Sequence, residues 1–141
     1  MKKAIVLFLA LIFTLSSLTA TYADDVTEPA DDPIIEDYID IYRITTSLGI
    51  SGTTASCYGS AQSRVDTDSI HMWMYLQKQT STGWTMVTSW YKQNTRLVSL
   101  DKTKSGLSAG TYRVRLYIEV YDSNGNFVEY ANAYSKLKVV S

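Results

Sequence analysis

One cysteine, one histidine and two prolines are all that the 141 residues contain of those types. A single thiol and a single imidazole exclude zinc ribbons, His-rich zinc sites and any intrachain disulfide framework. Glycine is scarce as well, with 7 residues, so no collagen-like repeat or glycine-rich linker composition applies. Neither sign of charge dominates: 13 Lys and Arg stand against 14 Asp and Glu, a formal net charge of -1. After Leu18 no apolar run approaches the ~20 residues that a membrane-spanning helix requires. What is present is 45% hydrophobic and 12% aromatic, a globular composition with 11 tyrosines.

The N-terminal residues read as an export signal. Lys2 and Lys3 give a positive start, residues 4–18 are apolar, and Thr21 and Ala23 are the small residues a signal peptidase reads. The expectation is a signal peptide over residues 1–23, cleaved after Ala23. An uncleaved anchor fits less well, because the apolar stretch is short of a bilayer span. No cysteine stands nearby for lipid attachment, and residues 136–141 carry neither a hydrophobic tail nor an LPxTG-type sorting signal. A secreted, extracellular protein with no membrane insertion after cleavage is expected. Residues 24–41 then hold Asp24, Asp25, Glu28, Asp31, Asp32, Glu36, Asp37 and Asp40 without one base. Such like charge, with Pro29 and Pro33, predicts a flexible acidic arm that serves as a spacer. Residues 42–141 reverse the balance, with eleven bases against six acids, a net of +5. That charge leaves two other uses open: docking of the arm on the domain, or contact of the domain with anionic cell-wall polymer.

Residues 42–141 suffice for one domain. Period-two alternation recurs there in segments of about ten residues separated by Gly, Asn, Ser and Thr, which predicts an all-β sandwich. Strands are expected at 43–50, 53–61, 69–78, 84–92, 95–101, 111–122 and 127–140. The first is anchored by Leu48 and Ile50; the second places Ala55, Cys57, Gly59 and Ala61 on one face, small enough to admit an opposing sheet closely. The third points Ile70, Met72, Met74 and Leu76 inward and His71, Trp73, Tyr75 and Gln77 outward. Thr80 to Gly83 turn it back into the fourth as a hairpin. The fifth carries Leu97 and, after an irregular step, Leu100, and residues 102–110 form a corner. The sixth sets Tyr112, Val114, Leu116, Ile118 and Val120 against Arg113, Arg115, Tyr117, Glu119 and Tyr121. Asn124-Gly125 suits a type I′ turn into the last strand.

Tyr112 follows Gly110 at the start of the penultimate strand, where immunoglobulin-like sandwiches place a tyrosine whose hydroxyl satisfies a corner. The fold expected is therefore an immunoglobulin-like or fibronectin III-like antiparallel β-sandwich of about seven strands. Cys57, among small apolar neighbours, reads as a core residue and not as a nucleophile or an intermolecular bridge. His71 has no acid at a spacing that would orient it as a base. Asp122, Asn124 and Asn126 alternate as calcium ligands do, but Phe127 and Ala133 stand where a calcium loop needs Gly and a bidentate acid, so a hairpin is expected. Asp66 and Asp68 read as loop residues. No catalytic residue, metal ligand or cofactor site is assigned.

The aromatic excess is the feature that could bind something. Trp73 and Tyr75 face outward on one strand, with Trp84, Trp90 and Tyr91 on its neighbour, so these five are the candidate ligand-stacking residues. Gly52-Thr-Thr-Ala55 with Cys57, Leu76-Gln-Lys78, Gly83-Trp84, Ser89-Trp90 and Gly110-Thr-Tyr-Arg-Val114 together resemble the domain-of-unknown-function family numbered 6147, over residues 42–140. That resemblance implies a short secreted β-sandwich protein of Gram-positive bacteria and brings no catalytic residues. The function expected is a non-enzymatic extracellular interaction or accessory module that meets cell-wall polymer, glycan or an extracellular protein. The alternatives are a carbohydrate-binding module, which needs those aromatics in one coplanar exposed patch, and a small secreted enzyme or toxin, which needs a polar cleft. Nucleic acid is not expected as a partner, and the oligomeric state is open.

Overall fold

The structure, a computed structural model, describes residues 38–141, so the expected export signal and nearly all of the acidic arm lie outside the described residues. Among the described residues eight antiparallel strands follow one another without a helix: β1 (Ile41–Ser51), β2 (Thr54–Ser63), β3 (Ser69–Thr80), β4 (Gly83–Thr95), β5 (Leu97–Lys104), β6 (Gly110–Tyr121), β7 (Phe127–Tyr134) and β8 (Lys138–Val140). They form a three-stranded sheet in the order β1-β2-β5 and a five-stranded sheet in the order β4-β3-β6-β7, with β8 beside β6. The two sheets close over one apolar interior, as a β-sandwich does.

Strict alternation sets the interior. Ile70, Met72, Met74 and Leu76 on β3 face the same way as Val114, Leu116, Ile118 and Val120 on β6, and all eight are fully buried. Ala55, Cys57, Gly59 and Ala61 line β2 opposite them. The small side chains permit the close approach expected of them: a Cβ on Gly59 would lie 2.5 Å from Cδ2 of Leu116. Leu116 therefore occupies the space that any larger residue at position 59 would need.

β1 begins at Ile41, the last residue that the acidic arm was expected to include. Ile41 pairs with Ser63 and Arg43 with Gln62, a bulge that turns both Ile41 and Ile44 inward, 2% and 1% exposed. Glu129 on β7 secures this start. Its carboxylate accepts the backbone N–H groups of Ile39 at 2.8 Å, Asp40 at 2.9 Å and Ile41 at 2.7 Å. Asp40 is in consequence crowded by acids: burial, then Asp68 and Glu129, raise its pKa above the usual aspartate value. A raised carboxyl pKa means that the folded state holds its proton to higher pH than the unfolded chain, so ionised Asp40 weakens the fold above that range. Asp40→Asn is expected to raise the thermal midpoint at pH 7, with the gain shrinking at pH 3, where the wild-type carboxyl is protonated in both states. A variant that melts lower at pH 7 would contradict this.

Three sequence expectations change. The stretch 127–140 is two strands, not one, so eight strands replace seven. Its ladder breaks at Ser135, whose N–H donates to the Val114 carbonyl at 2.9 Å and whose Oγ accepts the Val114 N–H at 2.8 Å, so that residues 135–137 loop outward before β8 rejoins β6. The 122–126 hairpin is not type I′, because Gly125 has positive φ (80°) and Asn124 does not. Gly125 N–H bonds the Asp122 carbonyl at 3.0 Å, and Asp122 N–H bonds the Asn126 carbonyl at 2.9 Å, a three-residue loop closed by a left-handed glycine. On β5, Val98 and Leu100 face inward without any irregular step, and Leu97 is 49% exposed. The cause is Arg96, a left-handed residue (φ 64°) that carries the chain from the five-stranded sheet to the three-stranded one and resets the alternation. Its N–H donates to the Asp68 carbonyl and its carbonyl accepts the Ser63 N–H, both at 2.8 Å.

Tyr112 makes the bond its position predicts. The ring is 1% exposed, and its hydroxyl donates to the Ser108 carbonyl at 2.6 Å across the turn that leads into β6. Tyr112→Phe is expected to cost about 1 kcal/mol in chemical denaturation, the net worth of one such bond. An unchanged midpoint would mean that the hydroxyl does not hold the corner.

Candidate functional site

The outward side chains of β3, β4, β6 and β7 share one face of the five-stranded sheet. Register determines which of them meet. Trp73 pairs with Tyr91 on β4 and Tyr117 on β6, and Tyr117 pairs with Asn132 on β7. One step along, His71 stands between Gln93 and Glu119, and Glu119 pairs with Tyr130. On the other side Tyr75 stands between Ser89 and Arg115, which pairs with Tyr134.

The rings touch in a continuous row across four strands. Centroids lie 4.9 Å apart for Tyr91–Trp73, 5.6 Å for Trp73–Tyr117 and 6.1 Å for Tyr117–Tyr130. A branch runs from His71 to Tyr121 at 4.9 Å and on to Phe127 at 5.8 Å. These are tilted contacts, at 40–43° along the row, within the distance range where aromatic pairs attract. The surface is therefore ridged, not one plane.

Two arginines are built into the same face. The Arg113 guanidinium carbon lies 4.0 Å from the Trp84 ring centroid and 4.4 Å from that of Tyr134, held between two π faces. Its Nε donates to Gln77 Oε1 at 2.9 Å, and burial lowers its pKa. Arg115 donates from Nε and Nη2 to Asn132 Oδ1 at 3.0 and 2.8 Å, with Tyr75 at 5.8 Å. Glu119 completes the layer by accepting the hydroxyls of Tyr117 and Tyr121, each at 2.8 Å. Those bonds are the main reason that both phenols have raised pKa values. The Tyr91 hydroxyl lies 2.8 Å from His71 Nδ1. Tyr91, Phe127, Tyr130 and Tyr134 remain about half exposed.

Of the five expected stacking residues, Trp73, Tyr75, Trp84 and Tyr91 share this face and Trp90 does not. Trp90 pairs with Met74 and turns to the interior side of β4, where it packs against the core. The register of β4 slips between the partners of Leu76 and Gln77, leaving Val87 extra. That bulge is why Trp84 and Trp90, six residues apart, end on opposite sides. Strands β6 and β7 supply residues that the sequence reading did not assign to any site: Arg113, Arg115, Tyr117, Tyr121, Phe127, Tyr130 and Tyr134. The alternation of 111–122 had already turned the first four of these outward; the pairing of β6 beside β3 was the missing signal.

The remaining reactive groups are not assembled. Cys57 is 0% exposed inside the three-stranded sheet, and burial, with Asp101 adding to it, pushes its thiol up to about 11. His71 stands on the outer face of the opposite sheet, so thiol and imidazole share no site. Asp68 is buried and accepts the Ser63 hydroxyl at 2.7 Å, whereas Asp66 pairs at the surface with Arg96 at 3.0 Å. Asp122 spends both oxygens on the hairpin: Oδ1 accepts the N–H groups of Asn124 and Asn126, and Oδ2 accepts Asn126 Nδ2, bonds that lower its pKa. Among the described residues no group of three or more His, Cys, Asp or Glu side chains is placed to hold a metal ion. Among the described residues no helix is long and apolar enough to cross a membrane, a fact that does not bear on strands. No protein-family model matches the chain, and no curated protein matches it.

Proposed function

We propose that the protein is a secreted, non-enzymatic interaction module that docks a partner protein on the outer face of its five-stranded sheet. One observation carries the proposal: Trp73, Tyr91, Tyr117 and Tyr130 form an unbroken row across four strands, with Arg113 and Arg115 locked beside it. Trp, Tyr and Arg are the residues that dominate binding energy at protein interfaces. Their mutual hydrogen bonds and stacking hold the rotamers in advance, which lowers the entropy lost on association. The tilt of the rings favours a contoured protein surface over the flat face of a polysaccharide chain. The strand order supports a fibronectin III-like reading of the sandwich, as does the Tyr112 corner.

The test is site-specific photo-crosslinking on intact producing cells. A crosslinker at Ser89 sits among the outer-face rings beside Tyr75, and one at Ser56 sits on the outer face of the other sheet. A discrete protein adduct from Ser89 and none from Ser56 is the expected result. Adducts to wall polysaccharide alone would transfer the face to the carbohydrate-binding alternative.

A further inference from the structure

The sandwich is open along one side, where β4 and β5 are the edge strands of their respective sheets. A cleft of about 390 Å³ lies between them, lined by Trp90, Lys92, Leu100 and Lys102 among others, with Tyr91 of the aromatic row at its border. That volume is within the roughly 300–1,000 Å³ typical of small-molecule sites. Trp90 and Lys92 pair with Met74 and Met72, so they occupy the interior side of β4; Leu100 and Lys102 pair with Gly59 and Cys57, so they occupy the interior side of β5. Positions that would be sealed in mid-sheet are uncovered at this margin. Trp90 is half-buried, and Lys92, Lys102 and Asp101 are exposed. Among the described residues no carboxylate lies within ion-pair distance of either lysine, whereas Arg96 pairs with Asp66.

We infer that this cleft is a second binding site, adjoining the aromatic face at Tyr91 but built on the interior side of β4, for a sugar unit that bears a phosphate or a carboxylate. The indole offers the apolar ring surface on which the C–H face of a pyranose packs. Two ammonium groups, one from each sheet, supply charge-assisted donors to an anionic substituent. A neutral sugar would gain the stacking and leave both cations without a partner. Inward-pointing lysines also protect sheet edges from pairing with another chain, a role that requires no ligand. The two roles diverge in a single experiment.

The isotope-labelled full mature chain is titrated with glucose 6-phosphate, digalacturonate and maltose while the tryptophan indole N–H resonances are followed. The expected result is a saturable shift of Trp90 with at least one charged sugar and none with maltose, the responding probe distinguishing phosphate from carboxylate. Lys92→Gln combined with Lys102→Gln should weaken that binding about tenfold or more, whereas Trp73→Ala on the outer face should leave it unchanged. Equal binding of maltose, an unaffected double variant, or shifts centred on Trp73 would overturn the inference. So would an unresponsive Trp90 in a chain whose double-lysine variant self-associates, which would assign the lysines to edge protection alone.

Discussion

Leu116→Ala is expected to destabilise the fold by about 2–5 kcal/mol, the range for truncating a buried leucine whose surroundings cannot collapse. Leu116 is 0% exposed at the centre of β6, and it fills the notch that Gly59 leaves on the facing sheet. Collapse is restricted because the notch belongs to backbone, not to a side chain that could move. The converse change, Gly59→Ala, puts a methyl carbon 2.5 Å from Leu116 Cδ2 and is expected to cost about 1–3 kcal/mol by overpacking. Together the two substitutions should cost less than the sum of each alone, because the new methyl enters the space that the leucine vacates. Urea denaturation of the two single variants and the double variant measures this coupling. Strict additivity would show that the sheets do not meet at this point.

The second large effect concerns binding. Trp73 is the junction of the aromatic row, in contact with Tyr91 on one side and Tyr117 on the other, and also with His71. Trp73→Ala is therefore expected to weaken the partner captured through Ser89 by about 30-fold or more, the scale of a central interface residue. The thermal midpoint should fall far less than for Leu116→Ala, because the ring lies outside the sandwich. Tyr58→Ala, on the outer face of β2, is the matched control and should leave affinity unchanged. Equal loss from both variants would indicate a general effect on the fold and would remove the aromatic face from the proposal.

Most of the interior was legible along the chain. Residues 69–78 and 111–122 alternate without interruption, and each side chain assigned to the interior from that pattern is buried. The small-residue face of 53–61 was equally clear, since Ala, Cys and Gly at alternate positions have few other uses in a strand. The misreadings fall where alternation is interrupted. One extra residue at Val87 separates Trp84 from Trp90, and one left-handed residue, Arg96, exchanges Leu97 for Val98 in the core. Local composition marks neither position, for valine is a good strand former and arginine is not a turn residue. Ser135 is similar: its role in splitting the last strand depends on Val114, far back in the chain.

The aromatic face was legible only in halves. The outward residues of β3 and β6 followed from their own alternation, and the 80–83 turn joined β3 to β4. The rest required β6 to lie on the other side of β3, a pairing between segments distant in the chain, for which the side-chain pattern is equally satisfied by other neighbours. The amino-acid order was thus enough to establish strands, their apolar sides and a two-layer β architecture, because burial of every second residue is a property of each segment alone. Which strands became neighbours, and therefore that six tyrosines and two tryptophans would share one ridged face with two arginines while Trp90 entered a cleft with two lysines, was settled by three-dimensional packing. Bulges and crossings change the facing of a side chain at the cost of a single residue, and the energy that selects them comes from contacts with the opposite sheet.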